Sequence, residues 1–534
     1  MRSTFKRLSV ILVLTSLAPP ASWARSPVGR NVDLLIAGGT VYRGDETEPT
    51  VVDIGITGDK IVFIGNASKT HLQSKKTLDA RGMMVTPGLI DAHSHIDDEL
   101  ASPDASERLV ARQITQGVTT SIIGVDGHGT PDIHDEFDKM EHAGIGQNVA
   151  AYVGFAGVRE RVLQHDARAP TPTELQTMKS LTAKGMCEGA IGLSSGLFYA
   201  PQSFASTEEV IAVAKEAGKR GGLYDTHQRD EGTSSIGVLT SLKEAIRIGE
   251  ESGAPLHVAH IKVTNSSRPD GEDMAEVIAL IEAARAKGQN VTADQYPWAA
   301  ANTGLEAVAI PRWAQAGGFE AMVKRFDNPA DLAKIKAETG LAPGFAEKTM
   351  IGSAPKQPEL VGKRLSEIAA DWAVDPTDAA IRILRNGEAS VVVFVMTETD
   401  IVKVMTKPWV MSSSDGSEGV HPRGHASYPR LWENYVIAQK VLTPVQFVHR
   451  STGLEADTFG LTERGYIKPG YFADLTVIDP KTYHARATYI EPKLMSTGVV
   501  DVIVNGSLEF EDGKPTGVLS GRTLTRAPRP GTCP

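Results

Sequence analysis

Cysteine is almost missing from this chain: Cys187 and Cys533 are the only two in 534 residues. They allow one disulfide without implying it, and Cys187, inside an apolar strand-like run, reads as a small core residue. Charge runs are missing too. The net charge of −10 comes from intermixed acids and bases, with no basic patch among aromatics, so nucleic acid is not an expected partner. After the first residues no apolar run is long enough to span a bilayer, which argues against a membrane-embedded mature chain. The glycine-rich stretch from Gly124 to Gly129 has no lysine at phosphate-loop spacing, so no nucleotide site is expected.

What is present begins with a leader. Arg2, Lys6 and Arg7 precede the apolar run from Leu8 to Leu17, and Ser22-Trp23-Ala24 is a small-x-small cleavage pattern. This reads as a secretory signal peptide over 1–24, with a periplasmic or secreted destination. No cysteine follows the cleavage point, so lipid attachment is not expected. Removing the three positive charges would take the net charge from −10 to −13.

The most informative stretch is Met84-Val-Thr-Pro-Gly-Leu-Ile90 followed by Asp91-Ala92-His93-Ser94-His95. Residues i and i+2 of a strand share a face, so a strand ending in His-x-His aims two imidazoles at one point, as a divalent metal such as zinc requires. Alone, the pair could equally be two exposed polar residues; other histidines decide.

Short apolar strands then alternate with amphipathic helices. Strands are expected at Thr119–Gly124, Asn148–Phe155, Gly189–Gly196, Gly222–His227, Pro255–Lys262, Asn290–Pro297 and Trp409–Asp415. Helices are expected at Thr207–Arg220, Ser241–Ser252 and Asp273–Lys287. With the strand before His93 this makes eight units and predicts an α/β fold, a (β/α)8 TIM-type barrel whose site lies at the C-terminal strand ends. Alternating strands punctuated by Gly, Asn and Asp near both chain ends predict a small β-sandwich built from both. The expected organisation is sandwich at 31–86, barrel at 87–455, and sandwich again at 456–525. A largely helical insertion at about 312–391, before the last barrel strand, is a candidate lid.

The strand ends supply the remaining ligands. His227 ends the fifth strand, His260 the sixth and Asp415 the eighth, completing with His93 and His95 a set for one or two zinc ions. Lys262 shares a strand face with His260 and so points at the same mouth. His257, three residues before His260, faces away. His134, His142 and His484 sit in helical or loop context, whereas His421 is retained as a pocket residue.

These residues resemble the amidohydrolase superfamily and, within it, the D-aminoacylases, over about Val32 to Asn505. The carrying motifs are Pro87 to His95, Gly189 to Tyr199 with its Gly-Leu-Ser-Ser-Gly-Leu run, Thr226 to Gly232, Ser413 to Gly416 and His421-Pro422-Arg423. The resemblance implies a zinc-dependent hydrolase that releases a carboxylate and a free D-amino acid from an N-acyl-D-amino acid. His93, His95, His227, His260 and Asp415 would bind metal, and Asp415 would also move protons as the catalytic residue. Zinc would acidify a water and polarise the amide carbonyl, and Asp415 would take the water's proton and return it to the departing amine. Tyr199, Lys262 and Arg423 would grip the substrate's α-carboxylate; without the resemblance, Arg423 reads equally as a surface loop arginine.

Two departures stand out. Where these D-aminoacylases carry Asn-Cys-Gly with a metal-binding cysteine, this chain has Asp126, either a carboxylate metal ligand or a turn residue before Gly127. Where the family commonly shows Val-Gly-His-Gly, Phe155 replaces the histidine near the pocket. Two other readings stay open. Cyclic amides or dipeptides are alternative substrates, although the fourth strand lacks the lysine that such enzymes use to bridge metals. The other is a metal-poor binding protein of the same fold.

Overall fold

Eight parallel strands follow one another along the chain: β1 Leu89–Asp91, β2 Val118–Ile123, β3 Asn148–Ala151, β4 Gly192–Gly196, β5 Leu223–His227, β6 Leu256–Val258, β7 Val291–Gln295 and β8 Val410–Ser412. The computed structural model describes residues 31–265, 272–419 and 421–534; the expected signal segment 1–24 lies outside them. Each strand is a short run buried on both faces, the pattern of a parallel sheet covered by helices. Strands β1 to β3 pair in one sheet, and Val153–Gly154 with β4 to β8 in another. Only Tyr152 separates β3 from Val153–Gly154. The far edges approach as well: Ser94 bridges Gly416 in parallel, and the Asp415 N–H donates to the His93 carbonyl at 2.9 Å.

The intervening helices follow their sequence signals. Pro172–Cys187 starts at a Thr171/Glu174 capping box, and Thr207–Lys219 starts at Ser206, whose hydroxyl accepts from the Glu209 N–H. Val238–Ser252 stops at Gly253, which sits in the left-handed region with φ 70°. Their buried faces pack on the parallel strands in one large core.

The chain ends meet in a nine-stranded sheet. Met84–Pro87 pairs on one side with Asn31–Val41 and on the other with Leu475–Ile478. Ile54, Ile56, Val85, Leu475, Val477 and Ile503 share one core, so neither end could bury its apolar face alone. Beyond Pro515 the tail runs beneath the parallel strands, where the Gly521, Leu524, Arg526 and Arg529 N–H groups donate to the carbonyls of Ile145, Val149, Gly189 and Arg220. Cys533 there forms a disulfide with Cys187, their Cα atoms 5.7 Å apart. The reading of Cys187 as a small core residue gives way to the disulfide that the sequence allowed without implying: only the tail's path brings two cysteines 346 positions apart into contact.

The excursion between β7 and β8 contains more than helices. Ala301–Gly304 and Thr349–Ser353 both pair antiparallel with Ser390–Val393. Helices including Leu305–Ala309, Leu365–Asp371 and Pro376–Asn386 pack on this sheet around Ile351, Leu365, Ile383 and Val391. Ala-Asn-Thr-Gly carries no alternating apolar pattern, so this strand was invisible to periodicity.

Candidate active site

The C-terminal strand ends open into a cavity of about 470 Å³. His93 and His95 follow β1, and Asp415 follows β8. Asp91 ties these two ends together, because its buried carboxylate accepts from the Ser414 N–H at 2.8 Å and from Gln113 at 2.8 Å, and also from the Ser414 hydroxyl. Gly416 completes the junction; a Cβ there would meet the Gly424 Cα at 2.5 Å.

The predicted ligands converge. His95 Nε2 lies 3.2 Å from Asp415 Oδ1, and His93 Nε2 lies 3.8 Å from the same oxygen. Asp126 reaches both sides: Oδ1 is 3.5 Å from His93 Nε2 and 3.4 Å from His260 Nε2, while Oδ2 is 3.6 Å from His95 Nε2. His227 Nδ1 lies 3.0 Å from His260 Nε2. Asp126, His260 and Asp415 all have positive φ, at 54°, 33° and 48°; strained backbone of this kind gathers at functional sites.

Both His93 ring nitrogens and Asp126 Oδ1 are buried without a hydrogen-bond partner among the described residues. Polar atoms so buried are costly unless something satisfies them. His93, Asp126 and His260, and likewise His93, His95 and Asp415, lie within metal-sharing distance, so this donor set of imidazoles and carboxylates fits zinc.

Electrostatics follow from the crowding. Burial pushes the Asp415 carboxyl up, but the Arg423 guanidinium 2.6 Å away, with His260, His95 and His93, holds it far below the ordinary carboxylate value. Burial takes His227 down to about 4. At His260, burial and Lys262 push down but Asp415, Glu231 and Asp126 outweigh them, raising it to about 10.

The expected substrate contacts line the same cavity. Arg423 is buried against Asp415, 4.9 Å over the Tyr296 ring, and its Nε has no partner among the described residues; it is not a surface arginine. Lys262 Nζ lies 2.8 Å from Glu231 Oε1. The Thr303 hydroxyl, from the insertion's first strand, donates to Tyr199 Oη at 3.3 Å. Phe198, Val308, Phe345, Val393 and Val395 form an apolar wall.

Other expectations need correction. Phe155 begins the helix Phe155–Leu163 and is fully buried in the core behind the strands rather than lining the cavity. His421 stands outside the cavity as well: its Nε2–H donates to the Ala300 carbonyl at 2.9 Å and its Nδ1 accepts from the Arg423 N–H at 3.1 Å, so it braces Arg423. His257 faces Asp294 at 2.9 Å, away from the metal-ligand set, as its spacing implied.

The Gly-Leu-Ser-Ser-Gly-Leu run, singled out only by resemblance, has a local physical role. Ser194 Oγ accepts from the Gly127 N–H at 3.0 Å and donates to the Gly124 carbonyl. Gln202 donates to the Asp126 carbonyl at 2.8 Å. Both hold the turn that presents Asp126. Sequence reasoning missed Asp91, Gln202 and Glu231; the only available signal was that Glu231 follows His227 by one helical turn's spacing.

No family model matches this chain. It is 33% identical to the D-aminoacylase of Alcaligenes xylosoxydans over 520 residues, covering 92% of this chain and 98% of that protein. A D-aminoacylase structure with a binuclear metal centre superposes with a TM-score of 0.79 at 32% identity, covering 93% of this chain and 100% of that one. The N-acyl-D-glutamate deacylase of Bordetella bronchiseptica, complexed with zinc and a phosphonate mimic of the tetrahedral intermediate, gives 0.78 at 29% identity with the same coverage. With this similarity spanning nearly the whole chain and the donor set at the strand ends, the protein belongs to the D-aminoacylase family of amidohydrolases.

Proposed function

We propose that this chain hydrolyses the amide of N-acyl-D-amino acids, using His93, His95, Asp126, His227, His260 and Asp415 to hold one or two zinc ions. The observation that carries this reading is the convergence of these donors at the strand ends, where five of them line one cavity with two cations, Lys262 and Arg423, and His93 lies directly behind. Zinc in that cage supplies Lewis acidity toward the amide carbonyl and makes water acidic enough to attack near neutral pH. Arg423 and Lys262, with the Tyr199 hydroxyl, grip the substrate's α-carboxylate; the planar Arg423 fork suits a carboxylate. Asp415, held ionised by Arg423, takes the proton of the attacking water and hands it to the departing amine. The apolar wall receives a neutral side chain or acyl group, since both cavity cations are taken up by the α-carboxylate.

The same reading covers the frame. The two parallel sheets form one closed barrel, supported by the Ser94–Gly416 bridge and by the hydrogen bonds flanking Tyr152. The sheet at the chain ends is its companion β-sandwich, with the division at 31–86, 87–455 and 456–525. The segment around 312–391 caps the cavity. The leader pattern and the Cys187–Cys533 pair support a periplasmic or secreted protein. Its partner is a small N-acylated amino acid, not nucleic acid or a membrane.

The test is amine release from paired N-acetyl-D- and N-acetyl-L-amino acids by the zinc-loaded and chelator-treated protein. Zinc-dependent release from the D series alone is expected, faster with D-leucine than with D-glutamate. Zinc binding without release from either series would refute the assignment and favour cyclic amides or dipeptides.

A further inference from the structure

We propose that Glu231 is a positioning residue of the metal site: one carboxylate sets the outward faces of His260 and His227 and holds Lys262 at the substrate mouth. Glu231 Oε1 lies 3.2 Å from His260 Nδ1 and 2.8 Å from Lys262 Nζ, and Oε2 lies 3.6 Å from His227 Nε2. These ring nitrogens are opposite those that meet Asp126 and each other, His260 Nε2 and His227 Nδ1. An imidazole that ligates through one nitrogen carries its hydrogen on the other, and a carboxylate there selects that tautomer and fixes the ring's rotation. Two rings and an ammonium converge on Glu231, and Lys262 Nζ also lies 2.5 Å from His260 Nδ1.

The loop carrying Glu231 is built to hold it still. The buried Asp230 carboxylate accepts from the N–H groups of Gly232, Ser234, Ser235 and Gly237. Arg229 braces the preceding turn on Glu244 at 2.8 Å and on the Ser203 carbonyl. The Glu231 carbonyl accepts from the Thr264 N–H at 2.8 Å. In the sequence Arg229-Asp230-Glu231, the first two residues therefore fix the loop and leave the third to face the site.

This inference rests on the metal-hydrolase reading and is tested separately from it. Metal-free mature protein and its Glu231→Gln and Glu231→Asp variants are titrated with zinc against a competing chelator, alongside thermal melts of the metal-free forms. An amide turns an N–H donor toward one of the ring N–H groups, so Glu231→Gln is expected to weaken zinc binding about 10- to 100-fold at unchanged stoichiometry and unchanged metal-free Tm. Glu231→Asp, which keeps the carboxylate, is expected to recover part of that loss, and it carries the comparison if the Gln variant melts early. Zinc affinity within twofold of wild type in Glu231→Gln overturns the proposal. So does the loss of one zinc equivalent, which would make Glu231 a ligand itself. A wild-type protein that binds no zinc overturns the hydrolase reading and this inference with it.

Discussion

Replacing Asp415 by Asn removes a base while preserving almost everything else. The side chains are isosteric, and Asn tolerates the left-handed backbone that Asp415 adopts at φ 48°. The amide oxygen can still face His95, now 3.2 Å from Asp415 Oδ1, and five of the six assigned donors are untouched. What disappears is a carboxylate held ionised by Arg423 at 2.6 Å. A positioned general base contributes about 10²- to 10⁴-fold. The expected fall in kcat is therefore of that size, or about 3–5 kcal/mol of barrier, while metal content stays near wild type. Steady-state amine release from N-acetyl-D-leucine and zinc analysis of the same preparations measure both quantities. A fully zinc-loaded variant retaining more than a tenth of wild-type kcat would refute the proton-transfer role.

Two predictions concern the frame. The buried Glu509 carboxyl is pushed up to about 8 by burial, although the Ser520 N–H and hydroxyl stabilise its charge. A carboxyl raised in the folded state stabilises fully below its ordinary value of 4.5, and that contribution is lost as pH rises through 8. Over the 3.5 intervening units this is at most about 5 kcal/mol. Glu509→Gln should therefore gain Tm over wild type progressively between pH 5 and 9; a gap that narrows with rising pH contradicts this. Cys533→Ser should lower stability by about 2–5 kcal/mol by freeing the tail, yet leave kcat within twofold, because the disulfide lies at the opposite end of the strands from the site. Denaturant melts and kinetics on one preparation check both halves, and a large kcat loss in folded variant would show that the tail couples to the metal site.

The sequence by itself determined the strand–helix rhythm and picked out most of the residues that converge at the strand ends. Short strand-like runs alternating with amphipathic stretches read as buried strands, and His-x-His at a strand end, taken with the other strand-end histidines, points at one spot because side-chain direction alternates with a period of two. His227 was legible for the same local reason; His260 and Lys262 lie beyond the end of their strand, Leu256–Val258, with His260 at φ 33°, so the structure rather than a shared strand face brings them to the mouth. Arg423 was not, because a loop arginine carries no periodicity; only the buried ion pair with Asp415 distinguishes it from a surface residue. Phe155 and His421 were misread because nearness in sequence to a strand end does not say which way a ring turns. Tertiary structure alone decided the contacts of long sequence separation: Asp91 on Ser414, the tail clamped through Cys187 and Cys533, Thr303 on Tyr199 and Glu231 behind His260. Each depends on where separate strands end in space, and strand ends are set by packing across the whole sheet rather than by any local pattern.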